Sequence, residues 1–170
     1  TYAGAIAGDG TFKHVSGNLT LSGTNTVANV TITGGTVDVT GTLADTAAVS
    51  VSSGAVYKVS NTDTVGSITG AGFINLESDQ TLSTGSTAST FSGTMRGAGS
   101  FEKVGAATLT LSGVNNYTGT TTITGGTLTL ADNAANILPN RSAITLANTA
   151  GVILNINGKS AETIGTLSGG

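Results

Sequence analysis

The 170-residue chain has no cysteine, no tryptophan and a single proline. Without cysteine it can form neither disulfides nor thiolate metal sites, although this leaves the compartment open. Charged residues make up only 9% and aromatics 4%. Disordered chains are also poor in aromatics, but they lack aliphatics as well. Here hydrophobic residues reach 38%, many of them Val and Ile, which is enough to pack a core. Lys13, Lys58, Arg96, Lys103, Arg141 and Lys159 are scattered, and the formal net charge is −3. That excludes a basic footprint for nucleic acid or an anionic membrane. No apolar run is long enough for a membrane helix, and no basic-then-apolar signal starts at Thr1. If the chain is exported, its signal is expected to have been removed or to lie outside this sequence.

What is abundant is glycine, 26 residues, in a chain that repeats itself. "TYAGAIAGDGTFK" at Thr1 aligns with "TFSGTMRGAGSFE" at Thr90. Tyr2 meets Phe91, Ile6 meets Met95, and Gly8, Gly10 and Phe12 meet Gly97, Gly99 and Phe101. "LTLSGTNTVANVTITGGTVDV" (Leu19–Val39) continues as "LTLSGVNNYTGTTTITGGTLTL" (Leu109–Leu130), and "DTVGSITGAG" from Asp63 as "ETIGTLSGG" from Glu162. The chain therefore reads as one domain, 1–170, built of two long repeats, 1–89 and an incomplete 90–170.

Within each repeat, polar and apolar residues alternate: Thr108–Leu111, Thr121–Thr124, Thr127–Leu130, Val30–Thr33 and Val37–Val39. Period two marks a strand with one buried face. Leu109, Leu111, Ile123, Leu128 and Leu130 are expected inward and the intervening threonines outward. "SG", "GG", "NG" and "TG" bends separate the strands, where glycine takes φ > 0 at little cost. "ADNAANIL" (Ala131–Leu138) reads as a turn at most. Short strands and tight bends predict a β-solenoid with coils of roughly twenty residues. A repeat of 89 residues would then be about four coils. The chain would make roughly eight, stacked about 4.8 Å apart. No single coil can cover its own inward Leu and Val, but its neighbours can.

The stretch Gly97–Leu130 resembles the autotransporter-associated β-strand repeat of bacterial type V passenger domains. Gly97, Gly99, Phe101, Lys103 and Gly105 match its G-x-G-x-L-x-K-x-G opening. Thr108–Gly113, Asn116–Gly119 and Thr122–Leu128 match its T-L-T-L-S-G, N-x-Y-T-G and T-x-I-x-G-G-T-L blocks. "TVGSITGAG" and "TIGTLSGG" resemble the link between blocks. The first copy departs at His14 and at Val27-Ala28-Asn29, where turn geometry is expected to differ. The resemblance implies an all-β, right-handed parallel β-helix displayed outside a bacterial cell as a stalk or adhesive stem. In that family the chain crosses the outer membrane through a C-terminal barrel. Nothing here resembles barrel strands, so the chain is expected to be a fragment or a processed piece.

Catalytic, cofactor and metal residues are all read as absent. Asp9, Asp38, Asp45, Asp63, Glu77, Asp79, Glu102, Asp132 and Glu162 are thinly spread. The close pair, Glu77 and Asp79, could begin a Ca²⁺ or acid/base site, but reads as a solvated turn. His14 near Asp9 and Ser16 reads as an exposed strand residue in the place of Lys103, not as a triad. No P-loop or RTX calcium pattern is present. Tyr2 and Phe91 are expected in the core, with Tyr117 the most exposed ring. Asn18, Asn29, Asn116 and Asn140 match glycosylation acceptors, as chance allows in Asn/Thr-rich sequence. Threonine pairs (Thr31/Thr33, Thr108/Thr110, Thr122/Thr124, Thr127/Thr129) suggest an ice-binding face. They recur too irregularly in sequence and read as solvated threonines.

Three functions compete. A non-enzymatic stem or adhesin would bind host-cell or neighbouring-cell surface molecules over an extended surface. A filament or surface-layer subunit would bind copies of itself end to end, through open backbone groups. A polysaccharide-active enzyme would need clustered carboxylates. The first is the leading expectation, with no nucleic acid and no membrane insertion by this segment.

Overall fold

The computed structural model describes residues 2–131, 136–157 and 161–169. Among the described residues it holds strands and no helix, and every ladder is parallel. The strands form three sheets. The first has eight, from Ala7–His14 through Thr26–Ile32, Ala48–Val51, Ser67–Gly70, Ser89–Phe91, Thr108–Leu111 and Thr127–Leu130 to Ile153–Asn155. The second runs from Asp63–Val65 to Thr166–Ser168. The third runs from Asn18–Leu21 to Thr94–Gly97. The chain visits these faces in turn and makes a β-solenoid of about eight turns.

Alternation sets the inside. Leu109, Leu111, Ile123, Leu128 and Leu130 are all fully buried, as their spacing requires. So are Val37, Val39, Val49, Val51, Ile74 and Phe101. Each such side chain contributes roughly 1.5–3 kcal/mol when buried. Only the coils above and below can supply that cover. The described part of "ADNAANIL" is not helical; Asp132–Ala135 lie outside the described residues.

Coil length varies because corners differ. Val56 pairs with Phe73 seventeen residues on, and Thr127 with Ile153 twenty-six on. The repeat of 89 residues is therefore not a whole number of coils. Phe12 lies in the first sheet and its counterpart Phe101 in the second. Leu19 lies in the third sheet and its counterpart Leu109 in the first. Counting strands along each sheet, equivalent residues are separated by four coils and two of the three faces. Equivalent side chains thus point from different sides of the rod.

Glycines at the corners serve two ends. Gly97 and Gly126 need positive φ (107° and 59°). Gly93 and Gly113 do not, but stack in successive coils: a Cβ on Gly113 would collide with the carbonyl of Gly93, and one on Gly93 with that of Gly72. Close coil approach demands glycine there, beyond the turn chemistry evident in the sequence.

Candidate functional site

The inward polar residues are the first concentration of chemistry. Asn25 is fully buried; its Nδ2 donates to Gly23 O (2.8 Å) and Thr42 O (3.0 Å), and its Oδ1 accepts from Ile6 N (3.1 Å). Asn115 repeats this in the second copy. Its Nδ2 donates to Gly113 O (3.0 Å) and Ile137 O (2.9 Å), and its Oδ1 accepts from Met95 N (2.8 Å). The next acids continue the corner. Asp63 accepts from Leu43 N (3.1 Å), and Glu162 from Ile137 N (3.0 Å) and Leu138 N (2.7 Å). These groups satisfy backbone that turns a corner inside the rod, where an unpaired donor or acceptor costs about 1–3 kcal/mol.

Asp63 is also within reach of the buried Tyr57 hydroxyl, at 3.4 Å. Burial pushes its carboxyl up to about 6, outweighing the N–H groups of Leu43 and Thr64 and the Tyr57 hydroxyl, which favour the charge; Asp45 adds to the rise. Burial, and then Asp63 itself, raises the Tyr57 hydroxyl well above its ordinary value. The native state therefore holds the Asp63 proton more tightly than the unfolded chain. Stability from this group is fully present below the ordinary value of 3.8 and is lost as pH rises through about 6. The difference is on the order of 3 kcal/mol. Asp63→Asn should flatten the fall in urea midpoint between pH 4 and 7. An unchanged slope would refute the assignment.

Lys103 is the largest departure from the sequence reading. It is fully buried, with no carboxylate partner among the described residues. Its Nζ donates to the carbonyls of Val104 (2.6 Å), Gly105 (3.0 Å) and Gly125 (3.0 Å). Burial lowers its pKa. The signal was present in "SFEK": if Phe101 points inward, period two carries Lys103 inward as well. Its counterpart His14 is half-buried at the end of its strand, with Nε2 donating to Gly17 O (3.1 Å) and not to Asp9 or Ser16.

The ring assignments also change. Tyr117 is 1% exposed, not the most exposed ring. It hydrogen-bonds Thr121 at 2.5 Å and packs against Phe101 with centroids 6.4 Å apart, and burial raises its hydroxyl pKa. Tyr2 is 45% exposed, whereas Phe91 is buried as expected. Tyr2 bridges Leu21 in the next coil and has no described coil on its other side. Where the second copy runs irregularly through Asn116–Gly119, the first is the regular strand Thr26–Ile32, with Val27 buried in place of Tyr117.

Glu77 and Asp79 lie exposed around a turn, with Asp79 at φ 63° and Glu77 Oε1 3.7 Å from Lys58 Nζ. Among the described residues no three His, Cys, Asp or Glu stand close enough to hold a metal ion. The threonines are more regular than their sequence spacing. Thr31, Ser50 and Thr69, then Thr90, Thr110 and Thr129, form one outward column on the first sheet. The adjacent column is mixed: Asn29, Ala48 and Ser67, and further on Thr108, Thr127 and Ile153. Across these two columns, side-by-side threonines occur in the coils of Thr108/Thr110 and Thr127/Thr129.

The outward face of the third sheet differs in kind. Asp38, Lys58, Asn75 and Arg96 stack in one column. Lys58 lies 3.4 Å from Asp38. Arg96 Nε donates to Asn75 Oδ1 (2.6 Å), and its guanidinium carbon lies 4.2 Å from the centroid of the Phe73 ring. Beside it is a shallow cleft of about 440 Å³, lined by Asn75, Glu77, Arg96, Gly97, Asn116 and Thr118.

Fold and site together define a parallel β-solenoid in which buried polar side chains mainly serve its own backbone, while Asp38, Lys58 and Arg96 share one outward column on the third sheet. Residues 16–39 and 101–130 match the family model of the passenger-associated-transport-repeat, a repeat family of autotransporter passenger domains. No curated protein and no solved structure matches it.

Proposed function

We propose that the chain is a non-enzymatic segment of a surface-displayed stem that adheres through its extended sides. The observation that carries this reading is the placing of both passenger repeats on one continuous solenoid. Backbone ladders couple each coil to the next, so the rod is stiff without disulfides or metals. Its sides are rich in hydroxyls and amides and poor in charge, which suits many weak polar contacts. Secretion to the cell surface follows from the repeat family as part of the same proposal.

Antiserum raised against the purified chain should label intact cells of the producing bacterium in immunoelectron microscopy. Labelling only after permeabilisation would overturn surface display. Turnover of a polysaccharide by the purified chain would overturn the non-enzymatic part.

End-to-end association of copies is the second reading. It is supported by apolar side chains exposed on the late coils: Ile156 (47%) and Leu167 (60%). Sedimentation across a concentration series tests it: growth beyond the monomer supports it, and a monomer throughout refutes it.

A further inference from the structure

We infer that the cleft beside Arg96 binds the carboxylate of an acidic oligosaccharide. This deepens the adhesive reading above and rests on it.

The cleft has a local cause. Asn115 and Tyr117 turn inward to the corner and the core, so alternation turns Asn116 and Thr118 outward. Asn116 N donates to Met95 O (2.9 Å) and Thr118 N to Gly97 O (2.9 Å), which lays this segment directly over the strand Thr94–Gly97. A flat sheet becomes irregular at this point, and the cleft opens at the step.

Charge then selects the ligand. Lys58 is balanced by Asp38 at 3.4 Å and Glu77 at 3.7 Å. Arg96 makes no ion pair among the described residues. Its guanidinium is held on one edge by Asn75 and on one face by Phe73. That restraint precedes the ligand, so less side-chain entropy is lost on binding. The terminal nitrogens present the planar fork that takes a carboxylate by two parallel hydrogen bonds. The stack on Phe73 leaves the charge in place.

The remaining lining selects a sugar over a peptide. Asn75, Asn116 and Thr118 offer donors and acceptors, and Glu77 an acceptor, for ring hydroxyls. The cleft has no deep apolar pocket for a side chain. Strand addition by a peptide is closed off, because the edge carbonyls of Met95 and Gly97 already accept from Asn116 and Thr118. An acidic sugar lying along the column places its carboxylate at Arg96 and its hydroxyls toward Glu77.

Calorimetric titration with a glucuronate tetrasaccharide and its methyl ester, which caps the carboxylates and removes their charge, provides the test. The acid should bind at least about tenfold more tightly than the ester, a difference of about 1.4 kcal/mol. Arg96→Met should weaken the acid about tenfold or more, Arg96→Lys should restore part of the loss, and Arg141→Met should change nothing. Asn116→Ala gives a second probe that leaves the Phe73 stack and the fold intact, and it should weaken both forms. Equal binding of acid and ester, full affinity in a folded Arg96→Met, or equal binding of a tetraglutamate peptide would each overturn the proposal. Absence of binding while intact cells are still labelled would overturn the cleft alone and leave the stem reading standing.

Discussion

Lys103→Ala is expected to lower the unfolding free energy by about 4 kcal/mol. The lysine stem fills space beside the stacked corner glycines: a Cβ on Gly85 would come within 2.6 Å of the Lys103 Nζ. Its ammonium caps three carbonyls from two successive coils. Alanine leaves a cavity and removes the cation from three carbonyls of a partly buried corner. Lys103→Met separates the two effects. It keeps most of the volume and removes a buried charge, so it should cost less, about 1–3 kcal/mol. Lys13→Ala, on an exposed residue of the first described coils, should change stability by less than about 0.5 kcal/mol. Urea denaturation measures all three. If Lys103→Ala proves as mild as Lys13→Ala, the buried-cation assignment is wrong.

Asn115→Ala should cost about 3 kcal/mol, and Asn116→Ala less than about 0.5 kcal/mol. The two are adjacent in "VNNYTG". Asn115 is 3% exposed and joins three coils through Met95, its own corner and Ile137. Asn116 faces solvent. Removing the first leaves the Met95 N–H and the Gly113 carbonyl unpaired inside the rod, while the Ile137 carbonyl keeps the backbone N–H of residue 115; removing the second exchanges one solvated group for another. Asn25→Ala should reproduce the Asn115 loss, since Asn25 makes the same three contacts in the first copy. Thermal or urea unfolding of the three variants decides the matter. Equal losses at positions 115 and 116 would show that the inward hydrogen bonds of Asn115 do not carry the corner.

These cases show what could be read from the chain and what could not. "TLTL" and "VTIT" declare their buried faces because alternation is a property of extended backbone. The same rule, carried to the next inward positions, places Lys103, Asp63 and Asn115 inside. A charge or amide ordinarily marks the wet face, which hides their inward direction in the sequence. Sequence offers no direct account of the carbonyls and amide groups waiting at a corner to satisfy such residues. Some of those partners lie about twenty residues away, in another coil.

The Arg96 cleft was less legible still. Asp38, Lys58, Asn75 and Arg96 are scattered along the chain and become one column only when parallel pairing sets the third sheet in register. The Glu77 and Asp79 pair, which proximity in sequence singled out, lies on an exposed turn. Tyr117 looked like a surface ring because its neighbours are turn residues. It is buried because alternation continues through the irregular segment and directs it onto Phe101.

By itself the sequence determined the all-β character, the stacking of short parallel strands and the inward aliphatic set. All three follow from a local period of two and from repetition. The tertiary structure decided the phase of one repeat against the other, four coils and two faces apart. It also decided which polar side chains are enclosed with partners and which charge is left unmatched on the surface. The reason is that corner lengths, not strand patterns, set where each coil closes. A few residues more or less at a corner carry every later side chain to another side of the rod.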